Sequence, residues 1–258
     1  MKRKIQGLLL ATYRCALATG ILSTRLGSAT FEFAYLKYKA LFEAGEVNLL
    51  RGYVAEGGTV IDVGANIGFF TLNFAAWVGA SGQVFAIEPA QDNLERLSYR
   101  IKRHGYTQRI ILIHAAAADK FGELRLAMNP VNPMDHRLSE SGTPVKAITI
   151  DGLCELNDWP PVCLIKIDVQ GAEGRVIAGA IETIKRFGPA LFVEIEDTSV
   201  SDYSPGALFL DELTSLGYWP YILRKKGAER VQDINAAITI VKMNGYADFL
   251  FLKFKDVR

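Results

Sequence analysis

The sequence predicts a doubly wound α/β fold, because short apolar runs alternate with patterns typical of amphipathic helices. The runs are nearly continuous in apolar residues, as parallel strands are when helices cover both of their faces. Seven of them have the length of core strands, at residues 60–63, 84–87, 110–113, 162–167, 190–195, 218–223 and 249–252. We therefore expect a Rossmann-like domain with a mostly parallel seven-stranded sheet and helices on both faces.

Helical patterns fill the intervals between these strands. They cover residues 69–77, 90–102, 171–186 and 208–216. Two shorter strands are predicted at 124–127 and 145–150, around a polar loop. Residues 1–50 show helical spacing, with Gly45 interrupting the second helical stretch. We therefore divide the chain into an N-terminal helical segment, 1–50, and a Rossmann-like domain, 51–258.

Composition narrows the classes of partner. The chain has 258 residues and a formal net charge of +1, which leaves no electrostatic footprint for nucleic acid. The cysteines at 15, 154 and 163 lack paired spacing, so we predict neither a disulfide framework nor a zinc site. Reduced thiols of this kind are typical of cytoplasmic proteins.

The N-terminus has a basic start, Lys2 to Lys4, before an apolar run from Ile5 to Leu22. Arg14 divides this run, so it is too short for a membrane-spanning helix, which needs ~20 apolar residues. No small-residue cleavage site of a secretory signal follows. Its apolar residues share one helix face, which favours a helix packed on its own domain. The second interpretation is peripheral membrane contact through residues 1–22.

The first motif, VIDVGANIGFFT, runs from Val60 to Thr71 and joins a buried strand to a helix through Gly64 and Gly68. Small residues let a ligand approach the backbone, and the helix N-terminus offers unpaired N–H groups. Ligands of open α/β sheets bind at this end of the strands, where Asp62 could meet the amine of a ligand. The alternative is a tight structural turn.

Two further strands also end in carboxylates. Glu88 lies 24 residues after Gly64, a place from which an acid can accept hydrogen bonds from ribose hydroxyls; the alternative is a solvated strand end. The segment LIKIDVQGAE ends a strand at Asp168 and turns into a helix that carries Glu173. Lys166 in this strand has either a functional role or a structural pairing with a carboxylate.

Together these segments resemble the FkbM family of S-adenosylmethionine-dependent methyltransferases. The resemblance covers residues 57–197, and the segments that carry it are VIDVGANIGFFTL, AIEPAQDNLERL, AAAADKFGEL, LIKIDVQGAEGRVIAGA and PALFVEIED, in the order of the family. The family usually has Glu at the position of Gln170, so this chain has one charge fewer near the site.

The resemblance implies the class I methyltransferase fold, with S-adenosylmethionine as cofactor and S-adenosylhomocysteine as product. It assigns cofactor contacts in the first turn to Asp62, Gly64, Asn66 and Gly68. It also implies that Glu88 binds the ribose, and that the Ala117-Ala118-Asp119 loop lies beside the adenine.

Methyl transfer to a hydroxyl requires an aligned oxygen, and a base that takes its proton assists it. The candidate bases are Asp168, Glu194 and His136, the last because histidine ordinarily titrates near neutral pH. The alternatives are a strand cap for Asp168 and a surface residue for His136. We expect packing or hydrogen bonding from His104 and His114. No ligand spacing supports a metal at Asp168 and Glu194, so no metal is predicted.

The leading hypothesis is O-methylation of a hydroxyl on a sugar, glycan or polyketide-like small molecule. An NAD-dependent oxidoreductase is a second hypothesis, but it predicts a G-x-G-x-x-G turn, which this sequence lacks. A catalytically inactive cofactor-binding scaffold is a third. It predicts damaged cofactor motifs, whereas the acids and glycines named above are present.

Overall fold

A computed structural model of the chain describes residues 44–127, 137–138, 141–197, 206–224 and 227–253, with the isolated positions 19, 30 and 37. The predicted helix in residues 1–22, with its proposed membrane contact, lies outside the described residues, and so does His136. The division of the chain at residue 50 stays a prediction.

The described residues form twelve strands and eight α-helices. The strands are β1 (Thr59–Val63), β2 (Gln83–Ile87), β3 (Ile110–Ile113), β4 (Ala116–Ala117), β5 (Gly122–Ala127), β6 (Arg137–Leu138), β7 (Thr143–Ile148), β8 (Val162–Ile167), β9 (Ala190–Glu196), β10 (Tyr218–Arg224), β11 (Gly227–Arg230) and β12 (Tyr246–Lys253). The helices are α1 (Ala44–Leu50), α2 (Phe69–Trp77), α3 (Gln91–His104), α4 (Ile150–Leu156), α5 (Glu173–Ala178), α6 (Ile181–Phe187), α7 (Gly206–Ser215) and α8 (Ile234–Asn244). A 3₁₀ turn, Arg51–Tyr53, follows α1.

The large sheet has eight strands in the order β11-β10-β12-β9-β8-β1-β2-β3. Strands β9, β8, β1, β2 and β3 are parallel to one another, whereas β12 is antiparallel to both β9 and β10. This confirms the mostly parallel, doubly wound sheet, and all seven predicted core strands belong to it. The eighth strand, which was not predicted, is β11. It is short and polar, so it has no apolar run from which it could be predicted.

A smaller sheet, in the order β4-β7-β5-β6, lies between β3 and β8 in the chain. It contains the two shorter strands predicted from the sequence. The prediction that the second of them extends to Ile150 is wrong. It ends at Ile148, because the Thr149 side chain accepts a hydrogen bond from the Gly152 N–H at 3.0 Å and so caps α4.

Three helix predictions also need correction. The helix predicted over residues 171–186 is two helices, α5 and α6, with a break at Gly179. A Cβ at Gly179 would collide with the Ala118 carbonyl oxygen, so contact with the β4 segment sets this position. Gly45 does not interrupt α1. Helix α8 was not predicted, and Asp233 caps it by accepting a hydrogen bond from the Ala236 N–H.

Helices cover both faces of the sheet. One face joins Ile61, Ile165 and neighbouring strand residues to α4, α5, α6, α7 and α8 in a single apolar cluster. The other face joins Val60 and Leu164 to α1, α2 and α3. Because side chains alternate along a strand, Asp62 and Lys166 share this second face with Val60 and Leu164, at the end where the strands finish.

Candidate active site

The five residues from Gly64 to Gly68, here called the glycine turn, join β1 to α2. Gly64, Asn66 and Gly68 have φ values of 73°, 49° and 85°, in the left-handed region. A Cβ at Gly64 would collide with the Asp168 carbonyl oxygen, and one at Gly68 would collide with the Leu97 side chain. Glycine at both positions therefore lets the turn lie directly against the end of β8 and against α3.

The amides of the glycine turn are already bonded within the protein. The N–H groups of Gly64 and Ala65 both donate to the Ile87 carbonyl, at 3.0 and 3.1 Å. The Asn66 N–H donates to Glu88 Oε2 at 2.8 Å. These bonds join the end of β1 to the end of β2. The amides that lack an intrahelical partner are those of the first turn of α2, directly behind.

Glu88 is fixed at the end of β2, with 3% of its surface exposed. Its Oε1 accepts hydrogen bonds from the Ala90 N–H at 2.9 Å and from Asn93 Nδ2 at 3.2 Å. Burial raises the pKa of the Glu88 carboxyl above its ordinary value, although these bonds and the charge of Lys166 act in the opposite direction. The predicted acid and the predicted turn are therefore in direct contact.

Asp62, Lys166 and Asp168 form a group of charges beneath the glycine turn, here called the charge cluster. Lys166 Nζ lies 3.4 Å from Asp62 Oδ1 and 3.3 Å from Asp168 Oδ2, and it donates to the Gly64 carbonyl at 3.0 Å. It also lies 5.2 Å from the centre of the Phe70 ring. The structural alternative for Lys166 is thus present, since the lysine pairs with two carboxylates.

Asp62 does not face solvent. Its Oδ2 accepts a hydrogen bond from Thr71 Oγ1 at 2.6 Å, while its buried Oδ1 accepts none and faces the Lys166 ammonium. Its side chain is fully buried. The predicted contact between Asp62 and a ligand amine stays a prediction, and in this structure the cation at Asp62 is Lys166.

Two candidate bases lie near the ends of neighbouring strands, Asp168 directly after β8 and Glu194 two residues before the end of β9. The Asp168 side chain is 28% exposed, and its backbone N–H donates to the Val63 carbonyl at 3.1 Å. Ile167 pairs with Val193, which brings Asp168 and the half-buried Glu194 to the same level of the sheet. Both residues therefore lie at the edge where the parallel strands end, here called the carboxyl edge.

The loop predicted to lie beside the adenine is anchored on both sides. The buried Ala118 donates its N–H to the Ile148 carbonyl at 2.8 Å. Asp119 Oδ1 lies 2.8 Å from Arg175 Nε in α5. Partial burial raises the pKa of Asp119, but the hydrogen bond and charge of Arg175, the backbone N–H of Asp119 and the charge of Lys120 together lower it below its ordinary value. The role of both residues at the adenine stays a prediction.

Several residues that hold the site were not singled out from the sequence. Thr71 bonds Asp62, Asn93 bonds Glu88, and an Arg100 guanidinium N–H donates to the Ile67 carbonyl of the glycine turn. Glu173, already named from the sequence, is fully buried and accepts the Gly171 N–H at 2.8 Å. Asn93 lies five residues after Glu88, near the start of α3. This short separation is the one sequence feature that could have suggested the contact between Asn93 and Glu88.

The two described histidines form the packing and polar contacts expected of them. His104 stacks on Tyr106, and His114 Nε2 lies 3.0 Å from the Pro89 carbonyl oxygen. Cys154 and Cys163 are free thiols. Among the described residues, no group of three or more His, Cys, Asp and Glu side chains could hold a metal ion, and no helix there has the length and apolarity to span a membrane.

A family model described as the methyltransferase FkbM domain matches residues 62–223, which include the glycine turn, Glu88 and the charge cluster. The chain belongs to the FkbM methyltransferase family. This confirms the resemblance seen in the sequence, and it makes methyl transfer the class of reaction to which this site belongs.

Other similarities of this FkbM-family chain are more distant. It is 26% identical over 179 residues to the hexuronic acid methyltransferase AglP of Haloferax volcanii, covering 67% of this chain and 72% of that protein. A crystal structure of methyltransferase FkbM from Methylobacillus flagellatus has 19% identity and a TM-score of 0.48. The match covers 76% of this chain and only 44% of that one. An O-methyltransferase from Thermotoga maritima has 14% identity and a TM-score of 0.44, with 84% and 67% covered.

Proposed function

We propose that this FkbM-family protein transfers the methyl group of S-adenosylmethionine to a hydroxyl oxygen of a sugar or glycan. The observation that supports this most directly is the contact between Glu88 and the glycine turn. It brings a carboxylate with one remaining acceptor site, suited to a ribose hydroxyl, beside a helix N-terminus and beside the charge cluster. Cofactor and acceptor would then meet at the carboxyl edge of β1, β2 and β8.

The residues present match the groups of S-adenosylmethionine. Its ribose offers two hydroxyl donors, and the Glu88 carboxylate, as a pure acceptor, can take a bond from one of them. Its sulfonium and ammonium are cations, and the carboxylates at this edge favour positive charge. Asp62 Oδ1 accepts no hydrogen bond and has the Lys166 ammonium as its counter-ion, so Asp62 adds negative charge behind the glycine turn without being exposed itself. The carboxylates and hydrogen-bond acceptors of the site therefore fit this cofactor.

When bound, S-adenosylmethionine supplies an electrophilic methyl group. Asp168 is the base in this proposal, because it is the exposed member of the charge cluster and can accept the proton of an acceptor hydroxyl. Glu194 lies on the next strand, where it can accept a hydrogen bond from another hydroxyl of the same acceptor. The glycine turn and Glu88 hold the cofactor, so that the reacting oxygen and the methyl carbon are aligned.

The sugar acceptor is supported by the relative that acts, by its name, on a hexuronic acid. A hexuronic acid offers hydroxyls and a carboxylate, and these need different chemistry. A hydroxyl needs a base, which Asp168 provides. A carboxylate is already ionised, and it would meet the negative charges of Asp168 and Glu194. The site therefore favours a hydroxyl.

Cofactor choice is tested by calorimetric titration of the purified chain with S-adenosylmethionine, S-adenosylhomocysteine and NAD. We expect both adenosyl compounds to bind and NAD not to bind. Binding of NAD alone would support the oxidoreductase hypothesis instead. If no compound binds, the methyltransferase proposal is wrong for the isolated chain.

The acceptor is tested with S-adenosylmethionine carrying a labelled methyl group and three matched probes: methyl glucoside, methyl glucuronide and a polyketide-like alcohol. We expect label on the sugars, in a product that survives mild alkali, as a methyl ether does. Release of the label by alkali would identify a methyl ester and contradict hydroxyl transfer. Label on the alcohol alone would remove the sugar from the proposal. Cofactor binding without label on any probe would favour the inactive scaffold.

A further inference from the structure

Lys166 is the residue of the charge cluster that contacts both sides of the site. Only 3% of its surface is exposed, because it lies on β8, a central strand of the sheet. Its ammonium reaches the Gly64 carbonyl and Asp62 on the cofactor side, and Asp168 on the acceptor side. Burying an ammonium is costly unless nearby groups compensate for its lost hydration.

Stability does not account for this arrangement. Replacing buried ion pairs by apolar residues of similar volume often leaves a fold equally stable or more stable. The neighbouring positions on the same face, Val60 and Leu164, are apolar and fully buried, so apolar residues at both 62 and 166 would suit the packing. A buried lysine here points to a role in the reaction.

We propose that Lys166 is a positioning residue, which holds the Asp168 carboxylate in the orientation that receives the acceptor proton. This inference rests on the proposed function. Within the described part of the chain, the Lys166 ammonium is the only side-chain group that pairs with the Asp168 carboxylate. Because the same ammonium bonds the Gly64 carbonyl, the base keeps a fixed distance from the glycine turn.

Lys166 also has the right surroundings for this role. Its ammonium lies over the Phe70 ring, whose π-electrons attract the positive charge. Asp62 balances part of its charge and is itself held by Thr71. With Asp62 and Phe70 fixed by packing, the ammonium has little freedom, and Asp168 is the partner that solvent and acceptor can reach.

Lys166→Met alone strands the buried Asp62 carboxylate, so that variant can fail to fold. The double variant D62N/K166M removes the cation and the charge of its buried partner together, so that Asp168 is the only charged residue left in the charge cluster. It is compared with D62N, and D62N/K166M/D168N is compared with D62N/D168N, so that each comparison changes Lys166 alone. D62N shows the effect of the aspartate alone. Lys185→Met, at an exposed lysine, is the matched control for losing a lysine charge.

We expect kcat to fall about 30-fold further in D62N/K166M than in D62N, because a misplaced base loses much of its catalytic effect. Between D62N and D62N/K166M, the Kd for S-adenosylhomocysteine should change by less than about threefold, since Glu88 and the glycine turn are the same in both variants. In the D168N background, removing Lys166 should have little further effect on kcat, within about twofold.

Two kinetic results would overturn the proposal. The first is a parallel loss of kcat and of S-adenosylhomocysteine affinity, which would make Lys166 a support of the cofactor turn only. The second is an undiminished effect of Lys166 when Asp168 is already Asn. If the wild type methylates no probe, the proposed function has failed, and crystal structures of D62N and D62N/K166M decide the positioning claim. A moved Asp168 carboxylate supports it, and an unmoved one refutes it.

Discussion

The two ends of the large sheet differ in whether their charged side chains are buried. At the carboxyl edge, Asp62, Glu88 and Lys166 are almost completely buried. At the amino end, a cavity of about 480 Å³ opens beside the starts of β1, β8 and β9, and its charged side chains, Glu56 and Lys253, remain in contact with solvent. Burying charge requires compensation, whereas an open cavity does not. Buried charge therefore marks the functional end better than cavity volume does.

The largest effect should come from removing the exposed carboxylate of the carboxyl edge. Asp168→Asn should lower kcat by about 10²–10⁴-fold, the usual contribution of a general base. Affinity for S-adenosylhomocysteine should stay within about threefold, because the Lys166–Asp62 pair remains. The measurement is initial rate together with calorimetry, and Glu182→Gln, at an exposed acid, is the control. Full turnover in D168N would assign the proton transfer elsewhere.

The backbone contact between the glycine turn and β8 gives the next effect. Gly64→Ala should destabilise the fold by about 3 kcal/mol, since it adds a steric clash to a left-handed φ. Gly105 has nearly the same φ, 72°, with nothing within 4 Å of an added Cβ. Gly105→Ala should therefore cost about 1 kcal/mol, the conformational part alone. Denaturant unfolding measures both, and equal losses would show that the contact at Gly64 is unimportant.

Ribose binding gives a smaller effect. Glu88→Ala should weaken binding of S-adenosylmethionine by about 1–3 kcal/mol, the scale for hydrogen-bond partners left unpaired. Glu95→Ala is the control, because Glu95 is an exposed acid that accepts a hydrogen bond from Gln91 in the same helix. Calorimetry on folded variants decides. Unchanged affinity in E88A would show that Glu88 does not bind the ribose.

The same carboxylate predicts a pH dependence in the cofactor-free chain. Burial raises the pKa of Glu88 above the ordinary value of 4.5. Between the ordinary pKa, which applies to the unfolded chain, and the raised pKa of the folded chain, the folded chain binds more protons than the unfolded chain. The free energy of unfolding therefore falls as pH rises through this range. In E88A the fall should be shallower. Thermal unfolding from pH 4.5 upward tests this, and identical slopes would mean that Glu88 titrates normally.

The smallest effect is expected at the amino end. Cys163 lines the cavity there, burial raises the pKa of its thiol, and its Sγ donates to the Thr59 carbonyl at 3.3 Å. Cys163→Ala should change S-adenosylhomocysteine affinity by less than about twofold, because distant sites act independently. A large loss in calorimetry would show that the two ends are coupled and would weaken the contrast between them.

Sequence reasoning located the carboxyl edge because its signals are local. Strands β3 and β8 and helix α2 have the predicted bounds, since each is a compact apolar run between clear breaks. Asp168 follows β8 and Glu88 follows β2, so the shared edge of a parallel sheet brings them together. The acids could be placed from strand order alone.

The internal bonding of the site was beyond local patterns. Glu88 binds the Asn66 amide only because Asn66 adopts a φ of 49°, which no residue pattern specifies. Thr71 reaches Asp62 only after the turn reverses the chain. Likewise, the break at Gly179 comes from a distant carbonyl, that of Ala118, and not from its own helix. Contacts between distant segments decide all three.

The polar edge strand β11 has a consequence for the behaviour of the protein in concentrated solution. An edge strand exposes unpaired backbone groups that can recruit a strand from another molecule. Here the edge is only four residues long, its last three residues are exposed, and Glu229 forms an ion pair with Arg224 at 3.5 Å. Short, charged edges resist such pairing. This margin of the sheet therefore protects the chain against strand-to-strand aggregation.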